Sequence, residues 1–507
     1  MWLRRLLLLF AASTTGAAAT TRGLALTVDR ATGAFSVAVD AGDLLFAGSG
    51  YEFTSENRTA RSSDGSLVLG SATTGAGADA SGAYVSTTLV WAAGAFVTEF
   101  REYRDAGMIV FEQRFPKGAR GTSLNASDPY SARDDVSTAF PSFNSTFGAN
   151  IGHLAFSSDM TDTCGTHRTG PVGSLPTGVT GFGPTCFFTR DLSSSAVLSS
   201  FSNFMAASNG ARSDHAQQAF GVQGSIAEIP PGYSLSFVLA ASRNGGVNRA
   251  LEEWGDRLLQ RYGKTREMSY RDYSLNYLGY STDNGAYYYY QTEGHTPGKP
   301  VGEPAATGPW KNYEQTLIDV RRYADSEKIP YKYALLDSWW YYKGVGNGVT
   351  NWVGRPDIFP HGNDYVRNAT GWPIMGHNRY WAVDNVYAAA NGGDYDFVIE
   401  KKGQGQGYMD FAWPTEQRFW DDFIRNATEW GLFLYEQDWL DTEYDSVVFL
   451  NVNATAGRTW LMQMGSAAAD NDVTIQYCMS HVRQIMQSVE IPAVTNARAS
   501  GDCESVR

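Results

Sequence analysis

Three carboxylates directly follow an apolar run in the segment 430–441. Residues 432–435 read Leu-Phe-Leu-Tyr, and Glu436, Asp438 and Asp441 come next. Such a run is typical of a buried parallel strand, whereas Asp and Glu are poor strand formers and are costly to bury without partners. The pattern predicts a strand whose carboxyl end opens into a site, and Asp438 is the candidate nucleophile.

Other predicted strands also end in residues that could contact a ligand. Asp337 follows the run 333–336 and precedes Trp339 and Trp340. A carboxylate can bond sugar hydroxyls while an aromatic ring covers the apolar face of the sugar. The remaining candidates at predicted strand ends are His377, Trp381, Arg498 and Asp502.

Two of these carboxylates could act as a pair on a glycosidic bond. A separation of roughly 5–5.5 Å between Asp438 and Asp502 would permit a covalent intermediate, and roughly 6.5–9.5 Å would leave room for an inverting water. The proton donor, for which Asp502 is the candidate, needs a pKa raised by burial or by a negative neighbour. No clustered set of His, Cys and Asp side chains indicates a metal site.

The first half of the chain is predicted to be an antiparallel β-sandwich. Apolar residues alternate over 24–28 and 35–39 with a turn between them, which indicates a hairpin. Similar short segments recur, and two packed sheets would bury them. We assign residues 21–247 to this domain. Helical spacing over 249–261 then indicates a linking helix within residues 248–268.

Residues 269–507 are predicted to form a (β/α)8 TIM-type barrel, with a doubly wound sheet as the alternative. Repeated strand–helix units imply a parallel sheet. Only six strands fit, so we expect a barrel that is incomplete at the C-terminus and interpret the chain as a truncated form. The predicted strands are 274–280, 333–336, 373–377, 432–435, 474–477 and 493–495, and the helices are 310–328, 415–430, 459–470 and 480–487.

Composition and the N-terminus limit the class of protein. The net charge of −13 with a pI near 5.1 argues against a nucleic-acid partner. Residues 1–20 read as a signal peptide, and no later stretch is long enough to span a membrane. We therefore expect a glycoprotein that is secreted or lumenal, and the lumenal compartments include the lysosome and the vacuole. Six N-x-S/T sequons support this: Asn57, Asn125, Asn144, Asn368, Asn426 and Asn453.

The four cysteines would pair in an oxidising compartment. Of the three possible pairings, proximity along the chain favours Cys164 with Cys186 and Cys478 with Cys503.

Five segments at or near the predicted strand ends match one family in chain order. They are Asp337-Ser338-Trp339, the segment from Asp357 to Gly362, Leu434 to Asp438, Cys478-Met479-Ser480-His481, and the R-x-x-x-D spacing of Arg498 and Asp502. They resemble the α-galactosidase and raffinose-synthase clan of retaining glycoside hydrolases, the melibiase-like enzymes. The resemblance implies a sandwich before a barrel, a carbohydrate substrate and no cofactor. It also implies a double displacement with Asp438 as nucleophile and Asp502 as acid/base.

Two residues depart from that clan. Glu436 stands where the clan has a lysine that reaches sugar hydroxyls, and Ser338 replaces the second Asp of its Asp-Asp pair. A carboxylate beside Asp438 would tend to raise the pKa of Asp438. The sugar would then differ from galactose, or catalysis has been lost.

Several functions remain open at this point. The leading hypothesis is a secreted hydrolase of terminal α-glycosides, and transglycosylation is a variant of the same chemistry. A non-catalytic glycan-binding protein on a decayed barrel is the second class. A third is a retaining glycosidase of another clan with Asp441 or Glu436 as nucleophile. The sugar, the linkage and the oligomeric state do not follow from the sequence.

Overall fold

A computed structural model gives the structure of the protein. It describes residues 23–40, 43–144, 151–158, 160, 163–164, 168–169, 177–178, 183–212, 217–242, 246–283, 313–401 and 410–499. The predicted signal peptide, Asp502 and Cys503 lie outside the described residues.

The first half of the chain is built from short antiparallel strands. They are β1 (Leu24–Val28), β2 (Phe35–Val39), β3 (Leu44–Ala47), β4 (Glu52–Ser55), β5 (Arg58–Arg61), β6 (Leu69–Asp79), β7 (Gly82–Trp91), β8 (Phe96–Tyr103), β9 (Met108–Phe115), β10 (Ala119–Arg120), β11 (Thr138–Ala139), β12 (Ser142–Asn144), β13 (Ile151–Ser157), β14 (Thr163–Cys164), β15 (Arg168–Thr169), β16 (Thr185–Thr189), β17 (Ser195–Ser200), β18 (Ala207–Arg212), β19 (Gln217–Val222), β20 (Glu228–Ile229) and β21 (Tyr233–Ala241).

One large sheet faces several small ones. The large sheet has the order β14-β13-β16-β17-β21-β9-β8-β7-β6, with β15 also paired to β13. The small sheets are β1-β2-β3, β11-β4-β5, β12-β19-β18 and β10-β20. Phe35 of a small sheet meets Phe100 of the large sheet edge to face, with ring centroids 5.0 Å apart. Both rings lie in one buried apolar cluster, so the predicted antiparallel sandwich is present.

The linking helix predicted over 249–261 is α1 (Val247–Tyr262). It packs on the large sheet, where Trp254 Nε1 donates to Ser199 Oγ at 2.8 Å. After it, Lys264 enters the second half of the molecule. Its Nζ donates to the backbone oxygens of Ser488, Ile491 and Val494 at 2.9, 3.1 and 2.6 Å.

The second half alternates strands and helices. The main strands are β22 (Gly279–Ser281), β23 (Tyr333–Leu336), β26 (Ile374–Asn378), β29 (Leu432–Gln437), β30 (Thr474–Tyr477) and β31 (Val494–Ala497). Four short strands also occur, β24 (Tyr342–Lys343), β25 (Val349–Asn351), β27 (Phe397–Glu400) and β28 (Phe411–Pro414). The helices after α1 are α2 (Arg266–Tyr270), α3 (Tyr273–Asn276), α4 (Tyr313–Ser326), α5 (Asn363–Thr370), α6 (Gln417–Glu429), α7 (Leu440–Ser446), α8 (Val448–Val452), α9 (Ala456–Asp470) and α10 (Val482–Gln487).

The six main strands form one parallel sheet in the order of the chain, β22-β23-β26-β29-β30-β31. Parallel crossovers are almost always right-handed, so sequential order places all connecting helices on one face and curls the sheet. A doubly wound sheet would instead reverse its order at a switch point. The winding is therefore that of a barrel wall. Within the described residues it has six strands and not the eight of a closed (β/α)8 barrel.

The first barrel strand begins later than predicted. Residues 274–280 were expected to form it, but α3 (Tyr273–Asn276) occupies the first part of that range. Asp272 explains the difference, because its carboxylate accepts from Ser274 N at 2.7 Å and caps the helix. The strand β22 follows at Gly279–Ser281.

The two halves share a buried polar contact. The side chain of Arg483 in α10 is 3% exposed. Its Nη1 donates to Met205 O at 2.9 Å and to Gln223 Oε1 at 2.6 Å, both in the sandwich. Tyr444 of α7 donates to the same carbonyl at 3.0 Å. The sandwich thus supplies the acceptors for donors of the barrel half.

Cys186 and Cys478 are buried free thiols, so the disulfide predicted between Cys164 and Cys186 is not formed. The predicted partner of Cys478, Cys503, lies outside the described residues. The sheet order explains the first pair. Cys164 in β14 pairs across β13 with Phe156, whereas Cys186 in β16 pairs with Leu154 on the other side of β13. Two strand spacings of about 4.8 Å separate their backbones, which exceeds the roughly 7 Å limit for bridging two Cα atoms.

Candidate active site

Five of the predicted site residues come together at the carboxyl ends of the parallel strands. Asp337 directly follows β23, His377 lies in β26, Glu436 lies near the end of β29, Asp438 follows β29 and Arg498 follows β31. The pairing of β26 with β29 places His377 opposite Glu436. Carboxyl ends of parallel strands meet at one edge of a sheet, which is why residues as far apart in the chain as Asp337 and Arg498 become neighbours.

Asp438 is held on both carboxylate oxygens. His377 Nε2 lies 2.9 Å from Oδ2, and Trp439 N donates to Oδ1 at 2.8 Å. Asp438 N donates to Asn378 O at 2.9 Å, which extends the β29 ladder by one residue. Burial alone would raise the pKa of Asp438. The bonds from His377, the Cys478 thiol and Trp439 N outweigh burial and lower it, so the carboxylate is ionised.

His377 is a buried cation. The residue is 2% exposed, and its Nδ1 lies 3.0 Å from Tyr341 OH. Burial opposes the charged form, but Asp337, Asp438 and Glu436 raise the pKa of His377 to about 9. At neutral pH the imidazolium therefore donates from Nε2 to Asp438 and from Nδ1 to the Tyr341 oxygen.

Glu436 is the least solvated carboxyl of the site, at 1% exposure. Its Oε1 lies 4.0 Å from Arg498 Nη1, and its Oε2 has no hydrogen-bond partner within the described part of the chain. Burial is the main cause that raises the pKa of Glu436 to about 8. Asp438 and Asp337 add to the shift, and His377 and Arg498 oppose it. At neutral pH the group carries its proton.

Arg498 fixes the last strand end. Its backbone N donates to Tyr477 O at 2.8 Å, and its Nη1 donates to Asp283 Oδ2 at 3.2 Å. The same Nη1 lies 3.5 Å from Cys478 Sγ. Burial, followed by Asp438 and Glu436, raises the pKa of the Cys478 thiol, so that it stays protonated and donates to Asp438.

Asp337 is anchored to the first strand end. Thr282 Oγ1 accepts from Asp337 N and from Trp339 Nε1, each at 3.0 Å. The Asp337 carboxylate also accepts from Ser338 N. Lys343 Nζ lies 3.4 Å from Ser338 Oγ, and burial lowers the pKa of Lys343 to about 7.

Two of the tryptophans predicted to contact sugar are buried. Trp340 and Trp381 are 0% and 1% exposed. The Trp340 ring packs on Trp352 with centroids 5.0 Å apart, and the Trp381 ring packs on Phe419 at 5.3 Å. Both rings are packed against aromatic neighbours, and a contact of Trp340 or Trp381 with sugar stays a prediction.

Trp339 has a structural partner as well. Its ring stacks on Tyr313 of α4 with centroids 4.0 Å apart, and the residue is 4% exposed. Through Trp339 Nε1 and Thr282 the aromatic pair holds the segment that carries Asp337.

The other carboxylates near β29 have separate roles. Asp441 lies in the first turn of α7, and its Oδ1 accepts from Thr442 Oγ1 at 3.0 Å. Gln437 Nε2 donates to Glu443 Oε2 at 3.2 Å. Asp502, the predicted acid/base, lies outside the described residues.

Sequence reasoning missed four members of the site. Thr282, Asp283 and Tyr341 had not been singled out, and Cys478 had been taken as half of a disulfide. The available signal was position, because Thr282 and Asp283 follow β22 and Cys478 follows β30 directly. The predicted first strand, 274–280, ends one residue before β22 does, so Thr282 and Asp283 do not directly follow it.

The arrangement combines an ionised carboxylate with a protonated carboxyl. Asp438 is ionised and bonded to the His377 imidazolium, and Glu436 on the same strand is protonated. Over the described ranges no group of three or more His, Cys, Asp or Glu side chains could hold a metal ion. In the same ranges, no helix combines the length and apolar character needed to cross a membrane.

Comparison with known proteins gives a likeness of fold. No protein-family profile matches the sequence, and no curated protein matches it. Among solved structures, the alpha-N-acetylgalactosaminidase NagBb from Bifidobacterium bifidum in complex with GalNAc matches with a TM-score of 0.54 at 12% identity, over 94% of this chain and 78% of that one.

Two α-galactosidases give similar values. The enzyme from Lactobacillus brevis matches with a TM-score of 0.56 at 11% identity, over 90% of this chain and 62% of its own. The GH36 alpha-galactosidase AgaA from Geobacillus stearothermophilus matches with a TM-score of 0.53 at 10% identity, over 98% of this chain and 71% of its own. The chain shares the architecture of these enzymes.

Proposed function

We propose that this protein is a retaining glycoside hydrolase that cleaves terminal α-glycosides, most like an α-galactosidase. The observation that carries the proposal is Asp438, which sits at a barrel strand end, ionised and held on both oxygens by His377 and Trp439. The fold likeness to enzymes named for α-galactosides supports it. The residues of the site, and not the fold alone, are what suggest the reaction.

The proposed reaction is a double displacement. Asp438 attacks the anomeric carbon, the bond to the leaving oxygen breaks, and Asp502 gives its proton to that oxygen. Asp502 then takes a proton from water, the water oxygen bonds to the anomeric carbon, and Asp438 is released. A sugar hydroxyl in place of water would give transglycosylation.

His377 has a defined part in this proposal. The family lysine beside the nucleophile is replaced by Glu436, which would make Asp438 harder to ionise. The His377 imidazolium supplies the positive charge from the neighbouring strand β26 instead. We therefore infer that Glu436 alone does not abolish catalysis.

The test is hydrolysis of aryl α-glycosides by wild type and Asp438→Ala. The variant should lose hydrolysis, and added azide should restore turnover with an inverted glycosyl azide as product. Asp441→Asn is the matched control, since Asp441 lies in the first turn of α7 and is one of the alternative candidate nucleophiles. Normal turnover by Asp438→Ala would refute the assignment. A folded wild type that binds glycans but cleaves none would favour the binding protein.

We also propose that the protein is secreted or lumenal and carries N-glycans. The side chains of Asn57, Asn368 and Asn426 are exposed and accessible for modification. Mass spectrometry of the protein from a eukaryotic host before and after N-glycan removal tests this. Unmodified asparagine at all three positions would contradict it.

A further inference from the structure

We propose that the site selects a glycone that carries an amine, with Glu436 as the group that receives the ammonium. The inference rests on the proposed function and names the substrate class of the same site. It starts from Glu436 Oε2, a buried atom that has no hydrogen-bond partner among the described residues, in a residue that is 1% exposed. A buried carboxyl without a partner costs free energy, and a ligand donor would remove that cost.

The cations that face Glu436 already serve other carboxylates. His377 Nε2 is bonded to Asp438 at 2.9 Å, and Arg498 Nη1 is bonded to Asp283 at 3.2 Å. Arg498 approaches Glu436 only to 4.0 Å. Neither cation is bonded to Glu436, so if this carboxyl loses its proton, a cation on the ligand would supply the balancing charge.

The position of Glu436 points to the glycone. Glu436 and Asp438 are two residues apart along β29, and side chains two apart on a strand share a face. Glu436 lies about 6.6 Å deeper along the strand direction. If Asp438 meets the anomeric carbon at the mouth, Glu436 contacts the ring substituents of the terminal sugar and not the leaving group.

Protonation distinguishes an amine from a hydroxyl. The groups facing Glu436 are His377 from β26, Asp438 on its own strand, Asp337 after β23, Cys478 after β30 and Arg498 after β31. The empty site keeps a proton on Glu436 at neutral pH, with the pKa of Glu436 at about 8. A ligand ammonium takes the place of that proton and releases it to solvent. A neutral hydroxyl leaves it in place.

The experiment is isothermal titration calorimetry of the full protein at pH 7 in two buffers of different ionisation enthalpy. Galactosamine and glucosamine are compared with galactose, glucose and the two N-acetylated forms. A hydrogen bond within an ion pair contributes more binding free energy than one between neutral groups, and the difference corresponds to about tenfold in affinity. We expect one amino sugar to bind about tenfold more tightly than its neutral parent and to release about half to one proton.

Glu436→Gln should lose both the preference and the proton release. Glu429→Gln, an exposed site on α6, should keep both. Two results overturn the inference: no amino sugar binds better than its parent, or its binding releases no more protons than that of the parent. The wild-type measurements decide this even if Glu436→Gln does not fold.

The two proposals fail separately. Binding is measured without turnover, so a protein that prefers amino sugars but hydrolyses no glycoside would refute only the proposed reaction. A protein that hydrolyses α-galactosides without any preference for the amine would refute only this inference.

Discussion

Replacing Glu436 by Gln should stabilise the free protein in a manner that depends on pH. The native carboxyl keeps its proton up to about pH 8, whereas the ordinary pKa of a glutamate side chain is 4.5. The unfolded chain loses that proton near the ordinary pKa, so between the two pKa values it binds fewer protons than the native state. Stability therefore falls as pH rises through this window.

The size of the effect follows from the shift. Each pH unit in the window removes about 1.4 kcal/mol, so the group costs about 4 kcal/mol between pH 5 and pH 8. His377 acts in the same direction. Its pKa is raised from 6.5 to about 9, so its stabilisation is complete below pH 6.5 and is lost as pH rises through 9.

Gln keeps the shape of Glu436 and does not titrate. The variant should match the wild type at pH 5 and exceed it at pH 8. The Glu436 carboxylate is one of the groups that stabilise the charged form of His377, so its removal offsets part of the gain in stability. With roughly 2–4 °C per kcal/mol for a unit of this size, we expect a midpoint higher by about 5–10 °C at pH 8.

Differential scanning calorimetry from pH 5 to pH 8 measures the midpoints. Glu429→Gln is the control, because it removes an exposed carboxyl from the same part of the chain and should leave the pH slope unchanged. An equal midpoint difference between wild type and Glu436→Gln at pH 5 and pH 8 would refute the reasoning. A wild-type midpoint that rises with pH across this range would also do so.

Three further predictions concern other contacts. His377→Ala removes the donor that lowers the pKa of Asp438, so the acid limb of kcat/KM should move to higher pH and activity should fall about 100-fold; an unmoved limb would contradict this. Lys264→Met removes the donor to three carbonyls and should lower the free energy of unfolding by about 2–3 kcal/mol in denaturant titrations; an unchanged midpoint would count against it. A thiol reagent should label Cys186 and Cys478 in denatured, unreduced protein, and a disulfide-linked peptide in the mass spectrum would show otherwise.

The strands of the barrel half were predictable because they are apolar runs bounded by polar residues. The expected ranges 333–336 and 474–477 coincide with β23 and β30, and 432–435 is the first part of β29. A parallel strand is buried on both faces, so its apolar run nearly coincides with its length. The same logic located Asp337, Glu436 and Asp438, since a carboxylate after such a run must lie at the strand end.

Side-chain direction was not predictable in the same way. Trp339, Trp340 and Trp381 follow strand ends, yet the last two fill the core beneath the site. Residue type and position in the chain do not say which face a ring occupies once the strand pattern has ended. The pairing of cysteines failed for a related reason, because sheet order and not chain distance sets which strands are neighbours.

The contact of Arg483 with the sandwich has a consequence for how such a protein can change over evolution. The acceptors for this buried guanidinium, Met205 O and Gln223 Oε1, belong to the other half of the chain. A barrel half inherited alone would deprive this buried guanidinium, carried by the helix that follows Cys478, of both of these acceptors. Gene fusion or loss could therefore not exchange the sandwich as a detachable module, and the two halves have to be inherited as a pair.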